Sequence, residues 1–256
     1  MPAFHPWRAT PGCEYHAHEM FEQSAELYDL MYERKDYGTA VEELHRRIQR
    51  AQPGARDLLD VACGTARHLE RFASRYRVAG LDINPKLLER ARARCADAEL
   101  HLADMTDFDL GRTYDVVTCL FSSIGYVRTP GRMRRAIGCM ARHLRAPGVL
   151  IIEPWFTPQS FWSDHVAANL HDHPDVKLAW MYRHGKRGRV TVLDIHHLLA
   201  RRAGVEHFVE RHELGLFSRQ EMSDALEAQG LTVSYEETSV FGRGLYVGVR
   251  SAEEDA

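Results

Sequence analysis

The chain has 256 residues, of which 45% are hydrophobic and 27% charged, and its formal net charge is −3. This length suffices for one large domain, or for one domain that carries an insertion, with a substantial hydrophobic core. A slightly acidic chain without a long basic run is not expected to bind a nucleic acid polymer as its main partner.

No apolar stretch is long enough to span a membrane, and residues 1–12 lack the apolar segment of a signal peptide. We therefore expect a cytoplasmic protein without a membrane partner. The five cysteines are scattered and form no Cys-x-x-Cys pair, which indicates neither a disulfide framework nor a zinc knuckle. His171 and His173 flank an aspartate, but no third ligand stands at a fitting spacing, so we predict no metal site.

The N-terminal part of the chain is predicted to be helical after an extension of residues 1–18. Apolar residues between 19 and 34 recur at helical spacing and place Tyr28 and Tyr32 on neighbouring turns. A second helix is predicted from Tyr37 to Arg50, before the Pro53-Gly54 pair. Residues 19–54 are then either a packing layer or a lid, and we assign them as a helical lid.

A short apolar strand, a loop of small residues and a helix follow one another between Leu58 and Arg75. The strand and loop read Leu-Leu-Asp-Val-Ala-Cys-Gly-Thr-Ala over residues 58–66. Because the loop has no bulky side chain, backbone N–H groups at the start of the helix can approach a ligand closely. Close packing of a helix on a sheet explains such a loop equally well when it is taken alone.

Strands and helices then alternate up to residue 153. The predicted strands cover residues 77–81, 99–102, 114–120 and 149–152, and the predicted helices cover residues 84–95 and 129–145. Asn84-Pro85 and Thr129-Pro130 each provide an N-cap followed by a proline in the first helical position. This alternation predicts a parallel sheet with helices on both faces.

The pattern changes after Glu153. Residues 154–217 contain no clear helix but three β-like runs, at 176–183, 189–199 and 205–217, which predicts an antiparallel β insertion. A capping box at Ser218–Glu221 begins a helix that ends at Gly230, and strands at 231–236 and 245–249 follow as an antiparallel hairpin.

The predicted fold class is α/β, with a doubly wound, Rossmann-like, seven-stranded and mostly parallel sheet. Residues 55–153 and 218–250 form this sheet and its helices, the antiparallel insertion follows the fifth strand, and residues 251–256 are a tail.

Acidic residues follow the first three predicted strands at Asp60, Asp82 and Asp104. Ligands of a doubly wound sheet bind beyond these carboxyl ends, at the switch in strand order. Asp82 follows Gly64 by 18 residues, about the distance at which a carboxylate accepts hydrogen bonds from ribose hydroxyls. Together the three acids predict an adenosine site, although each alone is better explained as a helix cap or a solvated loop residue.

Four motifs in this order resemble those of class I S-adenosylmethionine-dependent methyltransferases. They are Asp60-Val-Ala-Cys-Gly-Thr65, Gly80-Leu-Asp-Ile83, Ala103-Asp-Met-Thr-Asp-Phe108 and Tyr114-Asp-Val-Val117. The resemblance covers residues 28–155 and implies S-adenosylmethionine as the cofactor. A nicotinamide dehydrogenase usually has Gly-x-Gly-x-x-Gly, which residues 64–69 do not supply.

The same resemblance implies that Asp82 binds the ribose, that Asp104 and the backbone N–H of Met105 bind the adenine, and that the loop of residues 62–65 binds the methionine end. The predicted cofactor-binding residues are Tyr28, Tyr37, Ala62, Cys63, Gly64, Thr65, His68, Asp82, Ile83, Asp104, Met105 and Phe121.

Further motifs resemble the N,N-dimethyltransferases of nucleotide-linked 3-amino or 4-amino deoxysugars, such as those that make desosamine and mycaminose. They are Phe121-Ser-Ser-Ile-Gly-Tyr126, Glu153-Pro-Trp-Phe156, Gly204-Val-Glu-His-Phe208 with His212, and Gly242-Arg-Gly-Leu-Tyr-Val-Gly-Val249. This likeness covers nearly the whole chain after Glu19. It implies a nucleotide-linked amino sugar as the substrate, bound by the insertion, and it allows a homodimer.

The chain departs from that family at two places. Ala66 stands where the family commonly has glycine, so the loop is expected to sit slightly differently against the cofactor. Residues 1–18 lie outside the part that can be matched.

Methyl transfer to an amine is an in-line displacement that mainly needs a neutral amine held against the methyl group. An amine of pKa ~9 is about 1% neutral at pH 7, a penalty of roughly 2.7 kcal/mol. Positioning contributes about 7–11 kcal/mol in well-oriented systems, so a strong general base is not required. We predict that Tyr32 and Tyr126 orient the amine and the sulfonium, with Glu153 as a third candidate.

Four residues are predicted to bind the substrate: Trp155, Phe156, Tyr182 and Arg243. Aromatic rings can stack on the sugar or the base, and Arg243, between Gly242 and Gly244, can offer its guanidinium to a diphosphate. Two other functions stay open at this point. A small-molecule O-methyltransferase would be expected to use a histidine or a metal, and a non-catalytic cofactor-binding protein would act as the partner of another enzyme.

Overall fold

The computed structural model describes residues 21–252, so the predicted extension of residues 1–18 and most of the predicted tail lie outside the described residues. The helices are α1 Tyr28–Met31, α2 Tyr37–Ala51, α3 Arg67–Phe72, α4 Pro85–Arg94, α5 Pro130–Arg142 and α6 Arg219–Glu227, with a 3₁₀ helix at Ser123–Val127. The strands are β1 Asp57–Val61, β2 Arg77–Asp82, β3 Glu99–Leu102, β4 Tyr114–Cys119, β5 Leu144–Ile152, β6 Val166–Asp172, β7 Val176–Arg187, β8 Val190–Arg201, β9 Gly204–Gly215, β10 Thr232–Glu236 and β11 Leu245–Arg250.

Seven strands form one sheet in the order β10-β11-β5-β4-β1-β2-β3. Strands β5, β4, β1, β2 and β3 run parallel, whereas β11 is antiparallel to both β5 and β10. The predicted mostly parallel, Rossmann-like sheet with a closing hairpin is therefore confirmed. Because β1 pairs with β2 on one side and β4 on the other, the strand order reverses there, and ligands of such sheets bind at this point.

Helices cover both faces of the seven-stranded sheet. Every residue of β1 is buried, and successive side chains alternate between the faces. Leu59 packs in a core with residues of α5 and α6, and Leu58 packs in a second core with residues of α2, α3 and α4. Short local signals set the helix starts, since Asn84 accepts hydrogen bonds from two N–H groups of α4 and Ser218 forms a capping box with Glu221.

A separate four-stranded antiparallel sheet has the order β6-β7-β8-β9 and follows β5 in the chain, as predicted. Its inner face packs against Leu27 and Met31 at the N-terminal end of the described chain. The edge strand β6 was not predicted, because its short Val-Ala-Ala-Asn-Leu-His-Asp sequence contains one β-branched residue and two alanines, which have a low preference for strands. The division of the chain into domains stays a prediction.

The helix predicted over residues 19–34 is wrong in extent, since within its described part, residues 21–34, only Tyr28–Met31 is α-helical. Phe21 has a left-handed φ of 57°, and the backbone N–H groups of Gln23 and Ser24 bond to the Glu210 carboxylate on β9. These tertiary bonds replace helical ones and give residues 21–27 a turn structure. Within residues 21–252, no helix is long and apolar enough to cross a membrane.

Candidate active site

A cavity of about 330 Å³ lies between the carboxyl ends of the parallel strands and the inner face of the four-stranded sheet. Its strand-end half is lined by Ala62, Gly64, Asp82, Ile83, Asp104 and Met105. Its small-sheet half is lined by Trp155, Trp180, Tyr182, His212 and Arg243. The segment of residues 21–35, which we call the cover segment, adds Phe21, Tyr28, Tyr32 and Lys35 to the wall.

The loop after β1 has an unusual backbone. Gly64 has a φ of 57°, and two alanines in the same loop, Ala62 and Ala66, have φ values of 60° and 64°. A left-handed conformation costs a residue with a Cβ roughly 1–2 kcal/mol, and such strain is typical of ligand-binding loops. The left-handed φ of Ala66 also gives the physical reason why glycine suits that position.

Asp82, at the end of β2, is buried on the cavity wall. Its carboxylate accepts hydrogen bonds from the backbone N–H groups of Gly64, at 2.9 Å, and Asn84, at 2.8 Å. Burial raises its pKa, and these hydrogen bonds partly offset that rise. Because a carboxylate has about four acceptor sites, it retains capacity for a further donor from the cavity.

The other two acids differ from Asp82. Asp60 is buried below the β1 loop and does not line the cavity; it accepts a hydrogen bond from the Thr118 hydroxyl at 2.7 Å, and burial raises its pKa to about 7. Asp104 lines the cavity and accepts bonds from the N–H and hydroxyl of Thr106 and from Arg132. Despite burial, these contacts lower the pKa of Asp104.

Four predicted cofactor-binding residues lie behind the cavity wall rather than on it: Tyr37, Cys63, Thr65 and His68. Tyr37 packs edge-on against His68, with ring centroids 4.9 Å apart, and both rings contact Phe241, which does line the cavity. The Thr65 hydroxyl instead donates to Asp29 of the cover segment at 2.8 Å.

Aromatic rings surround the centre of the cavity. The ring of Tyr32 lies 4.8 Å from that of Tyr28 and 5.0 Å from that of Phe121. Burial raises the pKa of both tyrosines, so their hydroxyls stay protonated at neutral pH. Tyr126, on the 3₁₀ helix, places its hydroxyl 2.9 Å from Nδ1 of His212.

Glu153 joins two loops at the cavity edge. Its carboxylate accepts hydrogen bonds from the backbone N–H of Phe121, at 2.8 Å, and from the hydroxyl of Ser239, at 3.1 Å. Burial raises its pKa, and the nearby cations Arg243 and Lys35 oppose that rise.

Arg243 lies against two aromatic rings that contact each other edge to face. Its guanidinium carbon lies 4.3 Å from the ring centroid of Trp155 and 3.9 Å from that of Phe156. Burial lowers its pKa, and one buried nitrogen, Nη1, has no hydrogen-bond partner within residues 21–252. Phe156 therefore contacts Arg243 without lining the cavity itself.

The neighbouring Gly244 has a φ of 75°, and a Cβ there would lie 2.3 Å from the Tyr235 hydroxyl, so only glycine fits the Arg243 loop.

A family model for the methyltransferase domain matches residues 58–148. A Streptomyces venezuelae enzyme named dTDP-3-amino-3,4,6-trideoxy-alpha-D-glucopyranose N,N-dimethyltransferase is 38% identical, and the alignment covers 88% of this chain and 97% of that protein. The crystal structure of DesVI from the same organism matches with a TM-score of 0.85 and 37% identity, over 90% of this chain and 99% of the other.

The chain belongs to the amino-deoxysugar N,N-dimethyltransferase family.

A further similar structure is S-adenosylmethionine-bound CalS10, described as an amino pentose methyltransferase from Micromonospora echinaspora. It has a TM-score of 0.81 and 35% identity, and the match covers 95% of this chain and 100% of the other. Membership makes the protein an S-adenosylmethionine-dependent methyltransferase. The strand-end half fits that cofactor. The carboxylates of Asp82 and Asp104 can accept hydrogen bonds from hydroxyl and amino groups, and Ile83, Leu87 and Ala103 form an apolar wall beside them.

The sequence prediction missed several residues of this methyltransferase's cavity, among them Lys35, Arg132, Trp180 and Phe241. Lys35 Nζ lies 5.1 Å from the ring centroid of Phe241, and burial lowers its pKa. These residues belong to no sequence motif, and only the fold brings them to the cavity.

Over the described part of the chain, residues 21–252, no three His, Cys, Asp or Glu side chains are grouped as metal ligands, and His171 instead contacts Glu33 at 3.0 Å.

Proposed function

We propose that the protein transfers methyl groups from S-adenosylmethionine to the amine of a nucleotide-linked amino-deoxysugar. The observation that carries this proposal is Arg243, whose guanidinium lies against two aromatic rings at the cavity wall and has an N–H donor without a partner within residues 21–252. A planar guanidinium with free N–H groups fits the oxygens of a diphosphate, which a free amine substrate would lack. The names of the similar enzymes support the same substrate class.

For the cofactor, we assign Asp82 to the ribose hydroxyls, Asp104 and Met105 to the adenine, and the loop of residues 62–65 to the methionine end. The remaining acceptor capacity of Asp82 and the position of all three groups on the strand-end half support this assignment. When bound, the cofactor supplies an electrophilic methyl group on a sulfonium.

For the acceptor, we assign Tyr32 and Tyr126 to the orientation of the amine in front of that methyl group. Both hydroxyl-bearing side chains line the cavity. Glu153 has both carboxylate oxygens engaged, with Phe121 and Ser239, which favours a role in holding the loops over direct contact with the amine.

The experiment is incubation with isotopically labelled cofactor and a panel of nucleotide-linked sugars that differ only in an amino or hydroxyl group, followed by mass spectrometry. We expect one or two methyl groups on the 3-amino or 4-amino sugars and none on the matched hydroxy sugars. Methylation of the hydroxyl compounds would support the O-methyltransferase alternative instead. Family membership leaves no support for a purely non-catalytic role.

We propose a homodimer that forms through the outer face of the four-stranded sheet. Six large apolar side chains on this face are 41–69% exposed: Val166, Leu170, Met181, Leu198, Val205 and Val209. Strands ~4.8 Å apart and 12 residues long give this face roughly 600 Å² in projection, near the ~800 Å² that each partner buries in a standard interface.

The charges at the edge of this face also suit a second copy of the chain. Arg183 pairs with Asp164 and Arg211 pairs with Asp194, each at 2.7 Å, so two copies would not repel each other. The cytoplasmic location and the absence of a nucleic acid polymer as partner stay predictions.

We expect Met181→Glu to convert the dimer to a monomer, because it would bury two unpaired carboxylates in an apolar interface. Sedimentation velocity measures the change. The control is Leu102→Glu, at a leucine that is 60% exposed on the edge strand of the other sheet, which should leave the mass unchanged. An unmutated chain that sediments as a monomer would contradict the proposal.

A further inference from the structure

We propose that His212, held by Glu210, accepts the hydroxyl proton of Tyr126 and thereby lets Tyr126 take a proton from the methylated amine. This inference rests on the proposed function, since it requires an amine beside Tyr126. It assigns His212 as a positioning residue that connects the cavity to a buried carboxylate.

The three side chains form a continuous row from the cavity wall into the small sheet. Nδ1 of His212 lies 2.9 Å from the Tyr126 hydroxyl oxygen, and Nε2 lies 3.9 Å from Oε2 of Glu210. His212 is 3% exposed, and its ring also packs against Phe21 with centroids 4.8 Å apart. Both imidazole nitrogens therefore face polar atoms in an otherwise apolar enclosure.

The negative charge of Glu210, 3.9 Å from Nε2, favours one tautomer of His212. An ionised carboxylate can only accept a hydrogen bond, so the nitrogen that faces Glu210, Nε2, carries the hydrogen in the neutral ring. Nδ1 is then an acceptor, and the Tyr126 hydroxyl donates to it. An ammonium group in the cavity would then meet the phenol oxygen as a hydrogen-bond acceptor.

Glu210 is built to remain ionised. Burial raises its pKa, but His212, the hydroxyl and N–H of Ser24 and the N–H of Gln23 lower it by more, to about 2. The two backbone N–H groups donate at 2.8 and 3.0 Å. The ionised carboxylate therefore presents only acceptor atoms to Nε2 of His212.

The other groups near His212 do not compete for this proton. On the adjacent strand β8, His197 is fully buried, and burial lowers its pKa, so it stays neutral. Burial likewise raises the pKa of Tyr28, a neighbour of Tyr126, and keeps that phenol neutral. Within residues 21–252, Glu210 is thus the ionised group beside the ring, and Tyr126 is the proton donor.

The reaction releases a proton that this row of side chains can accept. The amine lone pair forms the new N–C bond, the C–S bond breaks with its electron pair to sulfur, and the nitrogen becomes an ammonium that must lose a proton before a second methyl transfer. The ammonium proton passes to the Tyr126 oxygen while the phenol proton passes to Nδ1 of His212. The phenol ends neutral and the imidazole ends protonated, and the imidazole returns its proton to solvent after product release.

The test compares His212→Gln with the unmutated enzyme in single-turnover reactions on a nucleotide-linked amino sugar. Glutamine can keep a hydrogen bond to Tyr126 but cannot take its proton. We expect the second methyl transfer to slow by about 100-fold at pH 7, at the lower end of the contribution of acid–base catalysis, while the first transfer changes little. The loss should shrink toward pH 9, where solvent removes the proton from an amine of pKa ~9.

Two further measurements separate proton transfer from a structural role. Tyr126→Phe combined with His212→Gln should slow the second transfer no more than either change alone, because both interrupt one row. In ¹⁵N-histidine NMR of the resting enzyme, His212 should show an unprotonated Nδ1, and Tyr126→Phe should shift that signal. The control His197→Phe, at a buried histidine outside the cavity, should leave the ratio of mono- to dimethylated product unchanged.

An unaltered product ratio in His212→Gln, or a protonated Nδ1 in the resting enzyme, would overturn the inference. Failure of the proposed function is recognised differently, because the unmutated enzyme would then methylate no amino sugar at all. The NMR measurement tests the hydrogen bond between Tyr126 and His212 whether or not the enzyme methylates an amino sugar.

Discussion

Replacement of Arg243 by alanine is expected to lower kcat/KM for the nucleotide-linked sugar by about 2–4 kcal/mol, or roughly 30- to 1,000-fold. Most of the loss should be in KM, because the guanidinium binds a part of the substrate that does not react. The affinity for S-adenosylmethionine should stay nearly unchanged, since Arg243 lies on the small-sheet half of the cavity. Steady-state kinetics and calorimetry measure the two effects.

Arg243→Lys should recover only part of the loss, because an ammonium lacks the planar fork and stacks less well on Trp155 and Phe156. The matched control is Arg183→Ala, which removes an exposed arginine of β7 that pairs with Asp164. A free amino sugar should be a poor substrate and insensitive to the Arg243 changes. If Arg243→Ala leaves KM unaltered, Arg243 does not bind a diphosphate, and the enzyme acts on a simpler amine.

Asp82→Ala is expected to weaken S-adenosylmethionine binding by about 1.5–3 kcal/mol, the contribution of hydrogen bonds to a charged group. The variant also loses the bonds from Gly64 and Asn84, which hold the loops on either side of the cofactor half, so the upper end of this range is expected. Calorimetry on the folded variant measures the affinity.

The control for that change is Asp115→Ala, because Asp115 also accepts two backbone N–H bonds, from Arg56 and Asp57, but does not line the cavity. It should lower the melting temperature without altering the cofactor affinity. An Asp82→Ala variant that binds the cofactor normally would remove Asp82 from the site.

Much of the fold could be predicted because its signals are local. The alternation from Leu58 to Ile152 fixes element type and spacing, and caps such as Asn84 and Ser218 set helix starts within one or two residues. The cover segment could not be predicted, because its helical spacing is overridden by bonds to Glu210, which lies 186 residues further along the chain from Ser24. A tertiary contact of this kind leaves no periodic pattern in either segment.

Residues of the site that belong to sequence motifs could likewise be predicted, whereas those placed by tertiary packing could not. Asp82, Asp104 and Arg243 follow recognisable motifs and do line the cavity, although their roles stay proposals. Tyr37 and His68 were expected at the cofactor and lie behind the wall, since spacing gives a residue's place along the chain but not the direction of its side chain. Lys35 and Trp180 stand in no motif, and only the packing of the small sheet on the cover segment brings them to the cavity.

The attachment of the small sheet has a consequence for how such enzymes diversify. Strands β6–β9 enter the chain after β5 and leave it before α6, and none of the strand-end residues that we assign to the cofactor belongs to them. Trp180, Tyr182 and His212 belong to these strands and line the cavity, so substitution in β6–β9 can reshape part of the acceptor wall. Tyr32, Tyr126 and Arg243, which we assign to the acceptor, lie outside these strands. A chimaera that exchanges these strands must nevertheless carry Glu210 and His212 with them, because Glu210 fastens the cover segment and His212 contacts Tyr126. A chimaera without this pair would lose the hydrogen bonds that hold Gln23 and Ser24 to β9 and the contact of β9 with Tyr126.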